Sequence, residues 1–202
     1  MDILIGTKNA YKVGEMIFLL EGLENTKIHF LKDQDFDIEV KEDGKSLKEN
    51  AEKKAIKISK KTNFLTLASD AGVDIPALGE KWNFLKSERM VGQEKSDLEK
   101  VKTLLKMMEG LEGEERKIEN YLALAVAKNG KLLWVDEDIT EKGYVSETLI
   151  DENIPENRWL GHIWFYREFD KVFNKLNDVE LKKIREQSKN LKKSLQKFLR
   201  NF

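Results

Sequence analysis

The sequence predicts an α/β fold built on a mixed sheet. Three observations carry that expectation. The chain opens with a short apolar run ending in glycine, residues 2–6, and passes at once into helical periodicity over 9–21. Strand-like and helix-like segments then alternate up to residue 110. Further on, Asn129-Gly130 joins two apolar runs, the strongest short-range hairpin signal.

Residues 2–6 (DILIG) read as a buried strand. Val13, Met16, Ile17, Leu19 and Leu20 recur at helical spacing, with Lys12 and Glu15 opposite. Residues 27–31 and 36–40 read as strands, and Glu42-Asp43-Gly44 as a turn. A helix over 47–61 carries Leu47, Ala51, Ala55 and Ile58 on one face, and Ser46-x-x-Glu49 is a capping box at its start. Residues 64–69 form another buried strand, which Asp70-Ala71-Gly72 leaves in a turn. Leu98, Val101, Leu104, Leu105 and Met108 define a helix over 97–110. Residues 116–128 and 131–136 are the hairpin strands, and 143–149 add a third antiparallel strand. The chain ends in one long amphipathic helix over 178–202, striped by Leu181, Ile184, Ser188, Leu191, Leu195, Phe198 and Phe202. No repeat or linker interrupts this order, so residues 1–202 are expected to form a single domain.

Composition bounds the function. There are no cysteines, which excludes disulfides, thiolate nucleophiles and Cys-type metal sites. His29 and His162 are the only histidines, which leaves little room for a histidine-rich metal centre. The 36 Lys+Arg against 37 Asp+Glu argue against nucleic acid as a partner. Charged residues make up 36%, against about 25% in a typical soluble domain, and mix both signs. Twelve glycines and two prolines are too few for a loop-rich all-β fold. The first residues lack the basic start of a targeting peptide, and no apolar run is long enough to span a bilayer. A soluble, cytoplasmic protein without a membrane partner is expected.

Four constellations carry chemistry. The first, Gly6-Thr7-Lys8-Asn9-Ala10-Tyr11-Lys12, lies at a strand-to-helix turn, where unpaired backbone N–H groups and the helix dipole favour an anion. Thr7 and Asn9 are suitable caps; Lys8 and Lys12 oppose the dipole unless an anion shares the site. The second joins the Glu42-Asp43-Gly44 turn, whose carboxylates suit a hard cation, to Asn50 and Lys54, which share one helix face. The third is Asp70, at the carboxyl end of a buried strand, where open α/β sheets place ligands. The fourth is Arg89 in Ser87-Glu88-Arg89, able to clamp a phosphate. Each alone also fits a bland account: a capped helix, a turn, a surface arginine.

Their order and spacing together resemble the inosine triphosphate pyrophosphatase family, which hydrolyses deaminated or otherwise non-standard purine nucleoside triphosphates to monophosphate and pyrophosphate. The family's T-G-N-x-x-K-x-x-E is matched by Thr7-Lys8-Asn9-Ala10-Tyr11-Lys12-Val13-Gly14-Glu15, with Lys8 in place of glycine. Its E-x-G and E-N-A-x-x-K-A are matched by Glu42-Asp43-Gly44 and Glu49-Asn50-Ala51-Glu52-Lys53-Lys54-Ala55. A-D-D-S-G-L is matched by Ala68-Ser69-Asp70-Ala71-Gly72-Val73, and S-A-R-Y-x-G by Ser87-Glu88-Arg89-Met90-Val91-Gly92. Ser69 replaces the first aspartate. Beyond residue 92 the match is an outline: Trp159-Leu160-Gly161-His162-Ile163-Trp164 stands near the family's G-F-G-Y-D-P, and no Ser-His-Arg follows.

The resemblance implies an elongated mixed sheet flanked by helices, of the Maf/Ham type, and a homodimer. It implies Mg²⁺ held through Glu42 and Asp70, and Asp70 as general base or water-orienting ligand. Thr7, Lys8, Asn9, Lys12, Asn50, Lys54 and Arg89 fall on the substrate side, and Trp164 is a candidate base-stacking residue, although an aromatic cluster there also reads as core. Three readings stand at this stage: a nucleoside triphosphate pyrophosphohydrolase, a nucleotide-binding member without turnover, and an interaction module using the basic C-terminal helix. That helix carries eight Lys/Arg against three Asp/Glu over 178–202.

Overall fold

The computed structural model describes residues 1–34, 38–149 and 159–202. Its strands are β1 (Asp2–Ile5), β2 (Lys27–Phe30), β3 (Leu65–Asp74), β4 (Lys117–Lys128), β5 (Lys131–Val145), β6 (Trp164–Tyr166) and β7 (Lys171–Val172). Its α-helices are α1 (Ala10–Leu20), α2 (Leu47–Thr62), α3 (Ser87–Val91), α4 (Asp97–Met107), α5 (Asp178–Arg185) and α6 (Lys189–Arg200). The strands form one mixed sheet in the order β2-β1-β3-β4-β5-β6-β7. β1 runs parallel to β2 and β3, as strands joined through helical crossovers must, while β6 is antiparallel to β5 and β7. The mixed α/β class is as the sequence predicts.

The helix starts follow their capping residues. The Asn9 side chain accepts from Tyr11 N and Lys12 N at the start of α1. Ser46 caps α2 through Glu49 N, but Glu49 reaches back to Lys45 N rather than to Ser46 N, so the expected capping box is only half formed. Asn63 ends α2 in the left-handed region at φ 58°. Between β4 and β5, Asn129 and Gly130 both have positive φ, 51° and 75°, which suits the two-residue hairpin turn.

The chain divides into two compact units. The first comprises Met1–Ala71, Leu122–Thr140 and Ser188–Phe202; the second comprises Gly72–Tyr121 and Glu141–Gln187. In the first, Ile3, Ile5, Leu65 and Leu67 pack with Met16 and Leu19 of α1 and with Leu191 and Leu195 of α6. Leu4 instead joins Leu31 and Ile58 of α2, because alternate strand residues face opposite sides of the sheet. In the second, Val73, Ile75, Val101, Leu104, Ile118 and Ile184 share a core with Trp159 and Trp164.

Several expectations need correction. The strand predicted over 36–40 is absent at 38–40; residues 36 and 37 lie outside the described residues. β3 does not stop at Ser69 but continues to Asp74, so Asp70 sits inside a strand, not in a turn after it. The charged run from Asp136 to Lys142 does not end the second hairpin strand, since a strand with a half-covered face carries charge without breaking. β5 therefore runs on to Val145 and takes up the first three residues of the strand expected over 143–149, whose remainder is not a strand, and the added antiparallel partner is β6. The long C-terminal helix is two helices separated by a 3₁₀ turn over Glu186–Ser188. Its apolar stripe serves two cores: Ile184 packs in the second unit, whereas Leu191, Leu195 and Leu199 pack in the first. Leu199 is buried while Phe202, on the predicted stripe, is 54% exposed.

Candidate active site

At the β1–α1 turn, close approach favours glycine. Gly6 N donates to Leu67 O at 2.8 Å, and a Cβ on Gly6 would meet Ile58 Cδ1 at 3.1 Å and Ala68 Cβ at 3.2 Å. Thr7 Oγ1 accepts from Asn9 N at 3.2 Å. Asn9 Oδ1 accepts from Tyr11 N at 2.9 Å and Lys12 N at 3.2 Å, so an anion contact from Asn9 must come through its Nδ2 donors. The first turn of α1 holds no acidic residue, and Lys8 is exposed beside it. Lys12 is half-buried. Burial, and then the charge of Lys54, push its ammonium below the ordinary lysine range, while Asp70, Glu42 and Glu15 act in the opposite sense.

α2 and β3 bring the remaining first-unit candidates together. Asp70 is buried, with 5% of its surface exposed. Its Oδ1 accepts from Lys54 Nζ at 2.7 Å and its Oδ2 from Asn50 Nδ2 at 3.0 Å. Lys54 Nζ also donates to Ser69 O at 3.2 Å and pairs with Glu42 Oε1 at 2.8 Å. Asn50 closes the cluster on the other side, where its Oδ1 accepts from Gly44 N at 2.8 Å. A Cβ on Gly44 would fall 2.6 Å from Asn50 Oδ1, which is why the turn needs glycine there. The neighbouring carboxylate goes elsewhere: Asp43 pairs with Lys53 and Lys41, whose hydrogen bonds hold it down to about 2. Ser69 Oγ is buried without a hydrogen-bond partner. Strand alternation turns its side chain to the face opposite Asp70.

Among the described residues no group of three or more His, Cys, Asp or Glu is placed to cage a metal. The donors present are two carboxylates, Glu42 and Asp70, drawn to one ammonium. That set fits a hard divalent cation that takes one or two carboxylates and completes its shell with water and phosphate oxygens. It does not fit an all-protein cage.

Arg89 and Trp164 belong to the second unit. Arg89 is exposed on α3. The preceding Glu88 pairs with Lys100 Nζ at 2.7 Å, and Lys100 is itself buried. Trp164 is 4% exposed within the second core, the placement of the core reading, and its indole lies so close to Gly143 that a Cβ there would strike Nε1. Two buried cations escaped sequence reasoning, because Lys and Arg are so rarely interior that they read as surface. One is Lys100; its only sequence signal is Asp97 at i−3. The other is Arg116, which donates to the carbonyls of Met108, Leu111, Val145 and Ser146 at 2.6–3.0 Å.

Comparison with known proteins agrees with the motif order. The sequence model of the Ham1 family matches residues 3–197. A dITP/XTP pyrophosphatase of Bacillus licheniformis is 32% identical over 193 residues, covering 95% of each chain. One from Bacillus subtilis is 30% identical over 195 residues, covering 95% of this chain and 94% of the relative. Among solved structures, a HAM1 protein from Coxiella burnetii superposes with a TM-score of 0.74 at 24% identity, covering 98% of this chain and 99% of that one. The Ham1 protein of Staphylococcus aureus gives 0.74 at 22% identity, covering 100% and 99%. These two likenesses speak to the fold alone.

Proposed function

The chain belongs to the Ham1 family, and we propose that it hydrolyses non-standard purine nucleoside triphosphates, of the dITP and XTP class, to the monophosphate and pyrophosphate. The observation that carries this reading is the buried Asp70 carboxylate, fixed by Asn50 and Lys54 in the unit that also holds the anion-ready β1–α1 turn.

In this reading Thr7, Lys8, Asn9 and Lys12 receive the polyphosphate at the start of α1, where the dipole and the N–H groups favour negative charge. Arg89 is retained on the substrate side as part of the same proposal, whereas Trp164, buried in the second core, is not. Glu42 and Asp70 would hold Mg²⁺, which when bound neutralises phosphate charge and polarises the phosphoryl oxygens. Asp70 orients a water and takes its proton. Each carboxylate oxygen keeps lone-pair capacity beyond its one hydrogen bond. The water oxygen bonds to the α-phosphorus, the bond from that phosphorus to the α,β-bridging oxygen breaks, and pyrophosphate leaves. Positioning and charge neutralisation supply most of the rate. A cytoplasmic homodimer is part of the same proposal; among the described residues no helix is long and apolar enough to cross a membrane.

The test is a panel of nucleoside triphosphates assayed for pyrophosphate with Mg²⁺ and with a chelator. Pyrophosphate from dITP and XTP, little from ATP, and none with the chelator are expected. Tight nucleotide binding without product from any substrate would replace this reading by a binding protein.

A further inference from the structure

An ammonium has three N–H donors. On Lys54 all three have acceptors: Asp70 Oδ1 at 2.7 Å, Glu42 Oε1 at 2.8 Å and Ser69 O at 3.2 Å. In this arrangement Lys54 has no donor for a phosphate, and both candidate metal ligands already share one fixed positive charge, which offsets one of their two negative charges. We propose that Lys54 is a specificity-determining residue: it occupies the two carboxylates as an internal cation, so the site takes a divalent metal together with a polyphosphate and rejects the metal alone. This rests on the reading of Glu42 and Asp70 as metal ligands given above.

The exposures say where the exchange occurs. The Asp70 side chain is 7% exposed and the Lys54 side chain 11%, whereas Glu42 is 53% exposed and is the partner with open space to move into. Entry of a metal ion alone would draw Glu42 from Lys54. A buried ammonium would then lack one acceptor and face a nearby double positive charge, with Lys12 close enough to repel it further. When a triphosphate arrives with the metal, the released N–H donates to a phosphate oxygen, and the anion offsets the added charge. Metal and polyphosphate therefore help each other bind, by the same factor in both directions.

The experiment uses the full chain, Mn²⁺ as the metal probe followed by its paramagnetic resonance, and inorganic tripolyphosphate as the anion. No turnover is read, so an absent pyrophosphatase activity and a failed gate are told apart. Lys54→Gln is expected to bind Mn²⁺ alone about tenfold or more tighter than the wild type, and tripolyphosphate alone about tenfold more weakly. Lys54→Arg, which keeps the charge, is expected to bind Mn²⁺ within about threefold of the wild type. Lys54→Gln that is folded by circular dichroism yet binds Mn²⁺ no tighter than the wild type overturns the proposal. Should Lys54→Gln not fold, the wild-type chain decides: Mn²⁺ affinity raised about tenfold or more by tripolyphosphate supports it, and unchanged affinity overturns it.

Discussion

Asn50→Leu removes the amide that ties the Gly44 turn to Asp70 while keeping the side chain close to its original size. Two hydrogen bonds go: Asn50 Nδ2 to Asp70 Oδ2 at 3.0 Å, and Gly44 N to Asn50 Oδ1 at 2.8 Å. A bond to a buried carboxylate is worth about 1.5–3 kcal/mol and one to a half-buried amide about 0.5–1.5 kcal/mol, so the loss should be about 3 kcal/mol. For a chain of 202 residues that lowers Tm by about 6–12 °C. Activity should fall as well, through kcat more than KM, because Asp70 loses its aim without losing its charge. The assay is thermal unfolding of Asn50→Leu, Asp70→Asn and the double variant, with initial rates for the singles. The double-mutant cycle should return a coupling of about 1.5 kcal/mol. A variant that melts within about 1 °C of the wild type would mean that Asn50 does not hold the carboxylate, and the reasoning about Asp70 would be wrong at its base.

Arg116→Met should destabilise the chain by about 3 kcal/mol, because its fork serves four backbone carbonyls; Arg116→Lys should not rescue it, since one ammonium cannot span them. Urea unfolding of both variants checks this. Lys12→Met should raise stability near neutral pH and weaken triphosphate binding. The folded chain holds Lys12 below its ordinary 10.5, so the unfolded chain binds more protons in that interval, and the penalty present below it is relieved as pH rises through it. Melting curves with and without tripolyphosphate read both effects. Glu114 is held down to about 2 by Lys117 and then Arg167. Its stabilising contribution is complete above its ordinary 4.5 and lost as pH falls toward about 2, and Glu114→Gln should flatten the fall in urea midpoints across that interval.

Much of the first unit was legible because its signals are local. Asn9 and Ser46 cap the helices they were read to cap, and Asn129-Gly130 turns the hairpin. The motifs about Thr7, Glu42, Lys54 and Asp70 are short runs whose spacing survives in a single sequence. Other features were hidden for physical reasons. An aspartate in a buried strand reads as a strand end, because the partners that make it tolerable, Asn50 and Lys54, come from a helix earlier in the chain. The C-terminal stripe is continuous in sequence, yet Ile184 and Leu191 pack into different cores, which periodicity cannot reveal. Stacking on a base and packing in a core ask for the same aromatic residue, and only burial distinguished them at Trp164.

The central claim is that Asp70, held by Asn50 and Lys54, takes the proton of the attacking water. Its most direct measurement is the rate of pyrophosphate release from dITP by Asp70→Asn at saturating Mg²⁺, with circular dichroism reporting the fold. The account predicts a folded protein slowed by about 10²-fold or more; a folded Asp70→Asn that releases pyrophosphate at close to the wild-type rate would contradict it.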